Sequence, residues 1–122
     1  HGALIMHHAD SFLEPLVEDM VEIGIDIWQG VLPQNDIPKV QKQLGGRMAL
    51  MGGIDAAVVD WPGASEATIR AEVRRACVEY GPGGGFIPGL TYGLPGSIFP
   101  NVDPIITDEI ARYNEEVYGI RA

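Results

Sequence analysis

Short apolar runs alternate along this chain with longer stretches in which apolar residues recur every three or four positions. The first run, Ala3-Leu4-Ile5-Met6, predicts a strand leading into the polar turn His7-His8-Ala9-Asp10. Leu13, Leu16, Val17, Met20 and Val21 then share one helical face, with Asp10 or Ser11 placed to cap its start and Gly24 to end it. Ile25-Asp26-Ile27-Trp28 predicts a second strand, and Pro33 to Asp36 a polar connection. Ile37, Val40 and Leu44 mark a helix with Asp36 as its cap and Gly45-Gly46 as its stop. The third strand runs from Arg47 to Met51, and Gly52 to Ser65 reads as an irregular rim segment with a turn at Trp61-Pro62-Gly63. Glu66 to Tyr80 is the clearest helix: Ser65 caps it, Ile69, Val73, Ala76 and Cys77 line one face, and Gly81-Pro82 closes it. Gly83-Gly84-Gly85 turns into a fourth strand, Phe86-Ile87-Pro88. A Pro- and Gly-rich loop, Thr91 to Asp103, precedes a last helix from about Asp103 to Val117.

Strand–helix units in this succession predict an α/β fold with a parallel sheet and right-handed crossovers. Four βα units are half of a (β/α)8 TIM barrel. Four parallel strands also leave two open edges and one uncovered face, so something must cover them: the other half of a barrel or a second copy of the chain. A small self-contained three-layer sheet is the alternative architecture.

Composition narrows the function classes. The net charge of −9 speaks against nucleic acid and anionic membranes as partners. No apolar run reaches the roughly 20 residues of a membrane span, and no signal-peptide pattern opens the chain, so a cytoplasmic location is expected. The sequence begins without Met and enters strand-like sequence at once. It is therefore expected to be one domain, residues 1–122, cut from a longer protein. Cys77 falls on an apolar helical face and reads as a small core residue.

Candidate chemistry gathers at the predicted strand ends. Met48-Ala49-Leu50-Met51-Gly52-Gly53-Ile54-Asp55 is an apolar run ending in two glycines and a carboxylate, as when a parallel strand delivers a polar group to the rim of a barrel. Asp55 is thus a candidate catalytic carboxylate, able to accept hydrogen bonds from a ligand's N–H groups or to bind a cation, and Gly52 and Gly53 can bring backbone close to a ligand. His7 and His8 are candidates for proton transfer or metal binding; alternation sends one to the barrel mouth and the other to the helix layer. Gln29, after Trp28, which reads as a core residue, and Tyr92, in the last loop, are candidate substrate contacts. No Ser-His-Asp or Gly-x-Ser-x-Gly arrangement is visible, and no GxGxxG pattern precedes a helix.

Several of these pieces together resemble the C-terminal half of the uroporphyrinogen decarboxylase superfamily, over nearly the whole chain. They are His7-His8, Gly24-Ile25-Asp26, Leu44-Gly45, Met51-Gly52-Gly53-Ile54-Asp55, Phe86-Ile87-Pro88-Gly89 and Asn101-Val102-Asp103-Pro104. The resemblance implies a (β/α)8 barrel with its site at the C-terminal mouth and two possible chemistries. One is cofactor-free decarboxylation of a tetrapyrrole, the work of a lyase of porphyrin biosynthesis. The other is methyl transfer involving a corrinoid or thiol, with zinc held by a His-x-Cys pair and a later Cys. The zinc branch places thiols at Ala9 and near Leu90 or Thr91, and this chain has none there. The decarboxylase branch carries a histidine after the glycine of the last strand, which Gly89-Leu90-Thr91-Tyr92-Gly93 lacks; its essential Arg and Asp belong to the N-terminal half. The resulting expectation is the C-terminal part of a decarboxylase-like enzyme, with no cofactor. A corrinoid-dependent methyltransferase, with zinc or corrinoid, is the first alternative. A non-catalytic half-barrel that works by association, as a dimer or with a separate N-terminal half, is the second.

Overall fold

The computed structural model of the chain describes residues 2–92 and 96–121. The strands are β1 (Met6–Ser11), β2 (Ile27–Val31), β3 (Ala49–Gly53) and β4 (Phe86–Gly89), and the helices are α1 (Val17–Glu22), α2 (Ile37–Leu44), α3 (Ala56–Val59), α4 (Glu66–Tyr80) and α5 (Val102–Tyr118). All strand pairs are parallel and the sheet order is β1-β2-β3-β4. α1 packs on α2, α2 on α4 and α4 on α5, so the principal helices make one layer rather than two. Sequential strand order beneath a single helix layer is the winding of a (β/α) barrel, and the four units form part of one. The three-layer alternative would need helices on both faces.

Local signals set several boundaries. Asp36 caps α2 by accepting from Lys39 N at 3.2 Å, and Gly45 ends that helix in the left-handed region. Ser65 caps α4 by accepting from Thr68 N. Trp28, Leu50, Ile37, Leu44, Ile69 and Val73 are fully buried between sheet and helices. Cys77 joins this core, and burial pushes its thiol pKa up, as befits a packing residue.

The structure corrects three expectations. β1, β2 and β3 start three, two and two residues further along than predicted (Met6–Ser11 for Ala3–Met6, Ile27–Val31 for Ile25–Trp28, Ala49–Gly53 for Arg47–Met51). Leu4 and Ile5 are apolar yet exposed. Second, Asp10 and Ser11 cap nothing. They belong to β1, and the chain reaches α1 through a 3-10 turn at Glu14–Leu16 with no side-chain cap. Third, the segment predicted as irregular contains α3, a single turn capped by Asp55. The predicted loop from Thr91 runs across residues 93–95, which lie outside the described residues.

Buried polar groups tie the layers together. The Asn35 amide accepts from Leu13 N and donates to the carbonyls of Ser11 and Leu32, joining the loops after β1 and β2. The Gln41 amide donates to the carbonyls of Tyr80 and Gly84, joining α2 to the turn before β4. Between α4 and α5, Glu109 is 5% exposed and accepts from Arg70 and Arg74 at 2.9 and 2.8 Å. Burial pushes the Glu109 pKa up, and the two arginines more than reverse it, leaving it below the ordinary 4.5. A lowered folded pKa means stability that is present above the ordinary value and lost as pH falls through the folded one. Glu109→Gln is expected to lose about 1–2 kcal/mol at neutral pH, since both arginines keep other partners. Urea unfolding should show that difference shrinking as pH falls below the ordinary carboxylate range; a difference independent of pH would remove the charge from the explanation.

Candidate active site

Register across the sheet sorts side chains into rows, because paired residues of parallel strands share a face. One row is His7, Trp28, Leu50 and Phe86, facing the helices. The next is His8, Gln29, Met51 and Ile87, on the opposite, concave face. Met6, Ile27 and Ala49 form a further row on that face. The concave face is thus a largely apolar floor without a covering layer: Met6 is 49% and Ile87 39% exposed.

The adjacent histidines part as alternation requires. His7 goes to the helix side of the edge strand, where it is exposed and has no hydrogen-bond partner among the described residues. His8 goes to the concave face, with Nε2 at 3.2 Å from Asp10 Oδ2. The other oxygen of Asp10 accepts from Thr91 Oγ1 at 2.8 Å. Gln29 sits beside His8 in register, half-buried, and its amide makes no hydrogen bond among the described residues. A histidine held by a carboxylate, next to an amide with free donors and an acceptor, can exchange a proton and orient a polar ligand.

The rim of β1 is fixed by the strand beside it. Trp28 Nε1 donates to the Ala9 carbonyl at 2.9 Å. Gly30 has φ +113°, and a Cβ there would lie 2.5 Å from the Ala9 carbonyl oxygen and 2.6 Å from Asp10 Oδ1. One strand on, Gly52 repeats the device with φ +145° and the Val31 carbonyl oxygen 2.7 Å from where its Cβ would stand. Both pairings are interrupted at these rims, between His8 and Ser11 and between Gln29 and Val31.

Gly52, Gly53 and Asp55 each have structural partners of their own. Gly52 and Gly53 are buried, with Gly53 facing the rings of Phe86 and Tyr80, so their bare Cα atoms serve packing. The Asp55 side chain accepts from Ala57 N at 3.0 Å as the cap of α3. Its backbone is held too: Asp55 N donates to Glu72 Oε1 at 2.8 Å, and Arg75 bridges Glu72 to the Gly53 carbonyl. Asn caps a helix as well as Asp does. Asp55→Asn is therefore expected to keep the fold, and a carboxylate needed for chemistry would reveal itself as at least a tenfold loss of turnover, on the order of an acid–base contribution. Unchanged turnover would leave Asp55 as a cap alone.

Tyr92 donates to Asp60 Oδ2, and the other oxygen of Asp60 accepts from Phe99 N at 3.0 Å. Burial, followed by that carboxylate, pushes the phenol pKa up. Tyr92 therefore anchors the loop after β4 and keeps its proton through the neutral range.

Sequence reasoning passed over Glu72, Arg75, Asp60 and Thr91. Glu72 left a trace: a carboxylate three residues after Ile69 and one before Val73, on the apolar side of α4. Among the described residues no three His, Cys, Asp or Glu side chains gather closely enough to hold a metal ion. None of the four strands carries Lys or Arg. The six arginines all pair with carboxylates, on the helices or near their ends. Among the described residues no helix is long and apolar enough to cross a membrane.

A sequence profile of the family described as uroporphyrinogen decarboxylase (URO-D) matches residues 1–108. Curated relatives carrying the name uroporphyrinogen decarboxylase include that of Thioalkalivibrio sulfidiphilus, 32% identical over 77% of this chain and 26% of its own length. The Teredinibacter turnerae protein is 36% identical over 73% of this chain and 23% of its own length. The Pseudomonas paraeruginosa protein is 38% identical over 72% and 22%, respectively. The chain thus spans about a quarter of the length of the curated relatives it matches.

Proposed function

This chain belongs to the uroporphyrinogen decarboxylase family, and from that premise we propose that it forms the C-terminal four βα units of a barrel enzyme that removes carboxyl groups from a tetrapyrrole. The observation that carries the reading is the concave face: a largely apolar floor contributed by the four strands, with the His8–Asp10 pair at its C-terminal rim. Loss of CO2 from a carboxylate leaves an electron pair on the carbon that held it, and a proton must meet that pair. His8 in its protonated form donates it, with its ring oriented by Asp10. Gln29, next to it, hydrogen-bonds the polar edge of the substrate. An apolar surround excludes water and strengthens each of these interactions.

A polycarboxylate also needs cations, and bidentate arginine is the usual answer. The strands here have none to give, so this reading assigns substrate anchoring to the rest of the barrel. No cofactor enters the reaction.

The test is anaerobic incubation of the full-length protein with uroporphyrinogen, followed by oxidation and chromatographic separation of the porphyrins. Stepwise loss of carboxyl groups is expected. An unchanged carboxyl count, with a methyl group passed to a corrinoid or thiol acceptor instead, would overturn the reading in favour of methyl transfer. A metal in that reaction would need ligands from outside these residues.

A further inference from the structure

Thr91 follows β4, and Asp10 lies in β1, so their hydrogen bond links the two outer strands of the sheet across 81 residues of sequence. Strands stand about 4.8 Å apart, so the segment after β4 must cross the C-terminal mouth to make this contact. It is held in that course next door, where Tyr92 and Phe99 N both bind Asp60.

Independent features converge on the carboxylate at the far end. Gly30 leaves room for it, since a Cβ would stand 2.6 Å from Oδ1. The indole of Trp28 holds the preceding carbonyl, and Thr91 holds Oδ1 itself. Yet Asp10 caps no helix and pairs with no Lys or Arg, and its contact with His8 is between side chains 31% and 51% exposed. So exposed a pair adds little to stability. Its careful placement has its effect on the imidazole. A carboxylate only accepts, so the proton on His8 Nε2 is directed to Asp10, and Nδ1 is left for the substrate.

We propose that Thr91 is a positioning residue of this site: its hydroxyl aligns Asp10, which orients His8 so that Nδ1 is the nitrogen presented over the concave face. The inference rests on the catalytic role proposed for His8, and its test separates the two. Thr91→Val keeps the shape of the side chain and removes the hydroxyl; Thr91→Ser keeps the hydroxyl. Ring 15N spectra of the chain, with His8 assigned by its loss in His8→Gln, report which nitrogen holds the proton. In Thr91→Val the neutral ring is expected to lose its preference for the Nε2-protonated form. In the full-length enzyme kcat should fall about tenfold with KM little changed, the effect of a misaligned catalytic group. Thr91→Ser should restore both readouts. An unchanged tautomer in Thr91→Val, or a loss that Thr91→Ser does not repair, overturns the proposal. A tautomer change that Thr91→Ser reverses, in a protein that decarboxylates nothing, sustains the positioning and removes the decarboxylase reading instead.

Discussion

Exchanging His8 for glutamine is expected to lower decarboxylation about 100-fold or more, the contribution of a positioned proton donor. The unfolding midpoint should move by no more than about 2 °C, because surface substitutions away from packing and caps have small effects. Both halves of the expectation come from one location. The His8 side chain is half exposed on the concave face, and its contact is a partly exposed carboxylate, so little of the fold depends on it. Glutamine can still donate a hydrogen bond to Asp10, but it cannot hold and release a proton near neutral pH. His7 is the built-in control. It is adjacent in sequence but on the other face, without a partner among the described residues, and His7→Gln should leave turnover within about twofold, as an uninvolved surface position does. Steady-state turnover and thermal unfolding of both variants decide the matter. Equal losses in the two would mean that neither histidine is the donor.

Trp28→Ala carries the largest expected cost in stability, about 3–5 kcal/mol. That is a large share of the 5–15 kcal/mol typical of a domain. Trp28 is fully buried in the row that faces the helices, and its indole N–H is the donor that holds the Ala9 carbonyl. Alanine would leave a cavity in the core between sheet and helices and free the rim of β1 at once. Trp28→Phe separates the two effects. It keeps most of the ring volume and drops the hydrogen bond, for an expected cost of about 1–2 kcal/mol. Urea unfolding followed by circular dichroism gives both numbers. A Phe variant as unstable as the Ala variant would make the hydrogen bond, rather than packing, the dominant contribution.

The architecture was legible where local chemistry set it. Asp36 and Gly45 bound α2, and Ser65 opens α4, because caps and left-handed glycines act within a few residues. Strand limits were less legible. Ala3 to Met6 looks more like a strand than Met6 to Ser11, but hydrogen-bond partners on β2 decide where pairing runs, and those are 21 residues away. α3 is too short to show a helical period, and its alanines and valines read as easily as coil. Asp10 shows why the site was harder. A short acid just before a helix is good capping material, and only the interrupted pairing of β1 turns it towards His8 instead. The contact between Asp10 and Thr91, and the hold of Glu72 and Arg75 on the backbone around Gly53 and Asp55, join distant segments through single side chains. Neither leaves a periodic or motif-like trace. The order of the family's motifs added to what the strand–helix alternation already implied: that these units form one part of a barrel.

Gly30 and Gly52 bear on the size of what can enter. At each, the carbonyl of the neighbouring strand comes nearer than any side chain would permit. At these two points the end of β2 meets β1, and the end of β3 meets β2, more closely than a Cβ would allow. Two missing methyl groups thereby help to set the aperture. A methyl group restored at either position would act as a spreader, forcing the neighbouring strand ends apart.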